Sequence, residues 1–159
     1  MKALILFDSN FGNTAKVAEA VATELAGQAV SVAKFQEADL DGVDLLVVGS
    51  PINAWRPTGR IRNLLSELVG RMKDRWPVGM TAAAFDTRIK SWISGDAATR
   101  IAEALEKSGM LLLSEPKPFY VKDKEGPLLR GELSRAREWA AELKRMYKQK
   151  SDLRRVFAT

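Results

Sequence analysis

Short apolar runs alternate along the chain with stretches in which apolar residues recur every three or four positions. Ala3 to Phe7 is a continuous apolar run, as expected of a strand covered on both faces. Val17, Ala18, Val21, Ala22 and Leu25 then mark one face of a helix over Ala15 to Ala26, stopped at Gly27. Val30 to Phe35 mixes Val30 and Val32 with Ser31 and Lys34, which predicts an edge strand. Leu45 to Val48 and Met80 to Phe85 are uniformly apolar and predict central strands. Between them, Ile61, Leu64, Leu65, Leu68 and Met72 give a second helix; Ala98, Ile101, Ala102 and Leu105 give a third that ends at Gly109. Leu111 to Leu113 begins a fifth strand that meets Pro116 and Pro118, which cannot donate to a ladder. This strand should therefore be short, interrupted and at an edge, with Phe119 to Val121 as its continuation. Leu133, Ala136, Ala140, Leu143 and Tyr147 build a closing helix.

Regular alternation of strand and helix predicts a parallel five-stranded sheet between two helical layers. Right-handed crossovers, with the second strand at one edge and the fifth at the other, give the order 2-1-3-4-5. Ligands bind such sheets beyond the carboxyl ends of the strands, where the winding reverses beside strands one and three. The loops of interest are thus 8–14, 50–60 and 86–96.

Composition narrows the chemistry. With 159 residues the chain fits one domain, assigned to 1–148, and no apolar run approaches the roughly 20 residues of a membrane span. Leu4 to Phe7 is too short for a signal-peptide core and Asp8 follows at once, so a cytoplasmic location is expected. The absence of Cys and His removes thiolate nucleophiles, imidazole bases and the usual transition-metal ligands. No metal site is expected, and redox chemistry would require a bound organic cofactor. The net charge of +5 is local: Lys144 to Thr159 holds six cations against Asp152, and the 25 cations and 20 acids of the chain leave 19 of each elsewhere. Residues 149–159 read as a solvated basic extension of the last helix rather than an arm for nucleic acid or lipid.

The first loop reads Asp8-Ser9-Asn10-Phe11-Gly12-Asn13-Thr14 and joins a buried strand to a helix. Hydroxyl and amide side chains, a glycine that admits close backbone approach, and the unpaired amides of a helix N-terminus together make a phosphate cradle. There is no lysine and no Gly-x-x-x-x-Gly-Lys pattern, which favours a monophosphate held by neutral donors over a nucleoside triphosphate. The competing role for Ser9, Asn10, Asn13 and Thr14 is helix capping alone. Ser9 to Thr14 resembles the phosphate loop of the flavodoxin family, which closes on Gly-Asn-Thr before the first helix. The resemblance implies a flavodoxin-like three-layer α/β/α sandwich with FMN as cofactor. Phe11 stands where a hydroxyl residue is common in that family, which implies one phosphate hydrogen bond fewer.

In the second loop Gly49-Ser50-Pro51-Ile52-Asn53-Ala54-Trp55-Arg56 is similar to the family's Ser-Pro-Thr opening, with Ile52 replacing the threonine. By this resemblance Pro51, Ile52, Asn53, Ala54, Trp55 and Arg56 contact the flavin, and Trp55 either stacks on the ring or packs on the surface. The third loop, from Phe85-Asp86-Thr87-Arg88 to Ser94-Gly95-Asp96, would bond the pyrimidine edge through its backbone; Trp92 is either an outer stacking face or a staple for the next helix. Where flavodoxins are mostly acidic around the flavin, this chain has Arg56, Arg60, Arg62, Arg88 and Lys90, which would raise the flavin potential and attract an acidic redox partner, unless they face solvent along the second helix.

Three functions are compatible with these residues: an FMN electron carrier, an FMN-dependent reductase of a quinone-like or other small acceptor, and a flavin-free interaction module. The carrier is the leading reading, as a monomer or weak homodimer without nucleic-acid binding. A phosphorylated receiver domain shares the sheet but needs an aspartate after strand three and a lysine after strand five, and here Gly49-Ser50 and Ser114 occupy those places.

Overall fold

The computed structural model describes every residue except Trp92, Ser94 and Thr159. Six strands, β1 (Ala3–Phe7), β2 (Gln28–Ser31), β3 (Leu45–Pro51), β4 (Thr81–Ile89), β5 (Leu111–Leu112) and β6 (Lys117–Val121), form one parallel sheet. Its order is β2-β1-β3-β4-β5, with β6 also pairing β4, as the alternating pattern predicts. Four helices, α1 (Asn13–Leu25), α2 (Gly59–Val69), α3 (Ala98–Lys107) and α4 (Glu132–Phe157), cover the two faces.

The continuous apolar runs are split between those faces by the two-residue period of a strand. Leu4, Leu6, Leu46, Val48, Ala82 and Ala84 face the core formed with Ile61, Leu64 and Leu68 of α2 and Ile101 and Leu105 of α3. Ala3, Ile5, Leu45, Val47, Ala83 and Phe85 face Val17 and Val21 of α1 and Ala136, Trp139 and Leu143 of α4. Phe85, Phe119 and Trp139 meet edge to face, with ring centroids 5.8–6.0 Å apart.

Several strand boundaries differ from the sequence expectation, among them the end of β3, which runs on to Pro51. The edge strand starts at Gln28 and stops at Ser31, not Phe35, because the Ser31 hydroxyl accepts from Ala33 N and turns the chain into a 3-10 segment over Val32–Lys34. β4 runs on to Ile89 instead of ending at Phe85, because β6 pairs with Phe85 to Ile89 in register with Lys117 to Val121. The last strand is interrupted as the prolines require: β5 holds two residues, and β6 resumes on the same edge of β4. α4 runs without a break through the basic segment to Phe157.

α4 is fastened to β6 at its first turn. Glu132 accepts from Tyr120 N at 2.7 Å and from Arg135 Nε at 3.0 Å, while the Arg135 guanidinium lies 4.9 Å from the Phe119 ring centroid and 5.4 Å from that of Tyr120. Burial alone would raise the Glu132 pKa, but the hydrogen bonds from Arg135 and Tyr120 N outweigh it and hold the carboxyl below its ordinary value of 4.5. A depressed carboxylate stabilises the fold above its unfolded pKa and loses that contribution as pH falls through its folded value. Glu132→Gln should therefore cost about 1.5 kcal/mol at neutral pH. Denaturant titrations at stepped pH should show this difference shrinking in acid.

Candidate functional site

At the carboxyl ends of β1, β3 and β4 the chain encloses a cavity of about 420 Å³, within the usual range for small-ligand sites. Ser9, Asn10, Phe11, Asn13 and Thr14 line it from the first loop, Pro51, Ile52, Ala54 and Trp55 from the second, and Thr87, Arg88, Ile89, Ser91 and Ile93 from the end of β4 and beyond. Val121 and Lys124 close it from β6 and the loop that follows.

The first loop is a preorganised turn. Ser9 Oγ accepts from Gly12 N at 3.0 Å and from Ala15 N at 3.4 Å, and Gly12 takes φ 91°, a left-handed conformation suited to glycine. Gly12 caps α1 without a side-chain bond, and among the described residues the amides of Asn10, Phe11, Asn13 and Thr14 have no acceptor within the chain. Those donors, at the positive end of a 13-residue helix, are suited to an anion. Asn13 Nδ2 instead donates to Glu125 O at 3.1 Å, tying the loop to the turn after β6. The Thr14 and Thr87 hydroxyls are 2.8 Å apart, joining α1 to β4.

Asp8, buried below this loop, holds the first two loops together. Its carboxylate accepts from Ser9 N at 3.0 Å and from Thr58 Oγ1 at 2.7 Å, and Arg60 Nη1 lies 3.6 Å away. Thr58 Oγ1 accepts from Ile61 N and so caps α2, while Thr58 N donates to Ser50 Oγ at 3.1 Å.

The second loop projects Trp55 from a two-residue hairpin. Asn53 and Arg56 exchange backbone bonds of 2.7 and 3.2 Å, and Ala54 and Trp55 between them take φ 49° and 73°. Two consecutive left-handed residues form the turn that closes a hairpin tightly, and using residues other than glycine there stores strain. Trp55 is 59% exposed beside the cavity. Asn53 and Arg56 build the hairpin and do not line the cavity.

Gly95 presses the third loop against that hairpin at φ 78°, where an added Cβ would lie 2.7 Å from Trp55 Cα and 3.1 Å from its carbonyl oxygen. Backbone on both sides leaves nothing flexible to yield. Gly95→Ala should displace Trp55 and cut affinity for an aromatic ligand in the cavity by about tenfold. Quenching of tryptophan fluorescence by that ligand measures the loss.

Among the described residues expected from the third loop, Thr87 and Arg88 line the cavity and Phe85 and Asp86 do not. The Phe85 ring lies in the α1/α4 core. Asp86 is fully buried and accepts from Ala97 N and Ala98 N at 3.1 and 2.9 Å, capping α3, whose own cap residue Ala97 has no side-chain acceptor. Arg88 binds both Asp86 oxygens at 2.9 and 2.5 Å and Asp96 Oδ1 at 3.1 Å. Burial raises the Asp86 pKa, with the Arg88 and backbone hydrogen bonds opposing it. Burial would lower Arg88, but its bond to Asp86 outweighs this and the guanidinium pKa is raised. Trp92 lies outside the described residues.

Ile89, Ser91 and Ile93 lie in the 86–96 loop expected to form the site but were not singled out there, and Val121 and Lys124 lie outside all three expected loops. Val121 and Lys124 belong to the end of β6 and the turn after it, and the switch-point rule directs attention only to the loops beside strands one and three. Their signal was available in the prolines that break strand five and bring its second half beside the end of β4.

A family described as Flavodoxin domain matches residues 4–108, which contain the first two loops, β4 and α3. Comparison with curated proteins finds no match. Among solved structures, the fold is similar to a flavodoxin from the domain Archaea, at 21% identity and TM-score 0.75 over 93% of this chain and 99% of that one. It is also similar to oxidised flavodoxin 2 from Bacillus cereus, at 16% identity and TM-score 0.74 over 91% and 99%. The rubredoxin oxygen:oxidoreductase of Desulfovibrio gigas matches at 19% identity and TM-score 0.75, covering 94% of this chain and 36% of that larger protein. The two-layer core, the strand order and the family match over two-thirds of the chain agree: this protein belongs to the flavodoxin domain family.

Proposed function

We propose that the chain binds FMN in the cavity at the carboxyl ends of β1, β3 and β4 and carries electrons between partner proteins. The observation that supports this best is the pairing, in one cavity, of acceptor-free amides at the start of α1 with the aromatic side chains of Phe11 and Trp55. The first group suits a terminal phosphate and the second a planar ring. The free amides of Asn10, Phe11, Asn13 and Thr14 would hold the phosphate, while Gly12, whose amide donates to Ser9 Oγ and which does not line the cavity, shapes the turn. Pro51, Ile52, Ala54 and Trp55 would face the ring on one side and Thr87 and Arg88 would approach its edge. FMN supplies one- and two-electron redox chemistry when bound. The protein contributes position, exclusion of water and local charge.

Two cations line this cavity. Arg88 is held by Asp86 and Asp96, and Lys124 has no ion-pair partner among the described residues. Their charge favours an electron-rich ligand and suits an acidic redox partner. Phe11, Trp55, Ile89 and Ile93 are all exposed around the mouth, which favours as a second reading the direct reduction of a small apolar acceptor. No helix among the described residues is long and apolar enough to cross a membrane. We place the protein in the cytoplasm as a monomer or weak homodimer.

Steady-state assays on the flavin-loaded protein separate the readings. A carrier turns over a nicotinamide donor only when a partner reductase is added; turnover with donor and quinone alone would make it a reductase. A colourless protein that retains no added FMN would leave only an interaction module.

A further inference from the structure

The end of the molecule opposite the cavity carries features that electron transfer does not use. α4 is 26 residues long, about 39 Å at the helical rise, and its last turns carry the chain's whole excess of positive charge. Arg154 donates to Gly79 O at 2.8 Å, which fixes the helix end beside the turn that precedes β4. That turn exposes Val78 completely, and Leu153 and Phe157, four residues apart on one side of α4, are 56% and 84% exposed. Lys150, three residues before Leu153 and seven before Phe157, shares that side of the helix, and Arg154 and Arg155 flank it in the last turns.

We propose that this end of α4, with the Val78 turn, seats the domain on an anionic membrane surface. Exposed apolar residues interleaved with cations match a bilayer interface, where aliphatic and aromatic side chains enter the acyl boundary and lysine and arginine meet lipid phosphates. A nucleic acid or an acidic protein would satisfy the cations but not Val78, Leu153 and Phe157. β4 spans nine residues between this end and the cavity, about 30 Å, so a domain seated here turns its cavity mouth away from the lipid.

Co-sedimentation of the full chain with phosphatidylcholine vesicles, with and without phosphatidylserine, tests this without reference to flavin. The chain should pellet with the phosphatidylserine vesicles, at least tenfold more tightly than with phosphatidylcholine alone, and be released by salt. Leu153→Gln/Phe157→Gln and Lys150→Gln/Arg155→Gln should each weaken binding at least tenfold while leaving circular dichroism unchanged, since none of the four side chains is buried. Equal binding to both vesicle types, binding to neither, or full binding by both variants would overturn the proposal. So would a dimer in sedimentation velocity that Phe157→Gln converts to monomer, which would assign the face to a second copy.

Discussion

Gly49→Ala should cost about 3 kcal/mol of stability, near the upper end for overpacking a core. Gly49 lies in β3 opposite Phe85 of β4, and a Cβ built on it falls 2.0–2.4 Å from three atoms of the Phe85 ring. That ring cannot withdraw easily, because Phe119 and Trp139 meet it edge to face on the α1/α4 side. Against a total stability of about a tenth of a kcal/mol per residue, such a loss removes a large share. Urea unfolding should show the midpoint falling at constant slope, and adding Phe85→Leu should recover part of the loss by vacating the space. A Gly49→Ala protein within about 0.5 kcal/mol of the parent would mean that β3 and β4 separate more readily than their register implies.

Arg88→Gln should act on both stability and cofactor. Its guanidinium compensates the fully buried Asp86 through two hydrogen bonds, and removing one partner of a buried pair leaves a carboxylate without its counter-charge, at about 3 kcal/mol. Asp86 still caps α3 through Ala97 N and Ala98 N, so the fold should persist but α3 should loosen. Because burial already raises the Asp86 pKa, the variant should take up a proton there at higher pH than the parent. Stability of the variant should thus improve as pH falls toward the raised folded value, the opposite sign to Glu132. In the flavin-loaded protein, loss of the cation should lower the two-electron potential by on the order of tens of millivolts. Arg88→Lys, which keeps the charge but not the paired hydrogen bonds, should separate the effects: stability falls while the potential holds. A potential that rises in Arg88→Gln would place this side chain away from the flavin's electrons.

The sheet was legible because its signals are local. Ala3 to Phe7 and Leu45 to Val48 have nowhere to go but between two helical layers, and the prolines at 116 and 118 dictated an interrupted edge. Hydrogen bonds that cross the chain were not legible. The extension of β4 to Ile89 depends on β6, some thirty residues later; the end of β2, by contrast, is a local bond from Ala33 N to the Ser31 hydroxyl, masked by the apolar residues on either side of it. The first loop was recognisable because one stretch holds all its parts: Ser9, Gly12 and the start of α1. The third loop was not, since Asp86 reads equally well as a ligand contact or a cap until Ala97 and Ala98 are brought beneath it. Lys124 reaches the cavity from a turn that Asn13 anchors through Glu125, more than a hundred residues along the chain.

The central claim is that acceptor-free amides at the start of α1 and the Trp55 hairpin form one site for a phosphorylated flavin. Titrating the full chain with FMN, against riboflavin as the analogue without phosphate, tests it most directly. The account predicts one FMN per chain with a dissociation constant of about a micromolar or tighter, quenched flavin fluorescence, and riboflavin bound at least a hundredfold more weakly. Equal affinity for the two, or no quenching at about millimolar FMN, would contradict it.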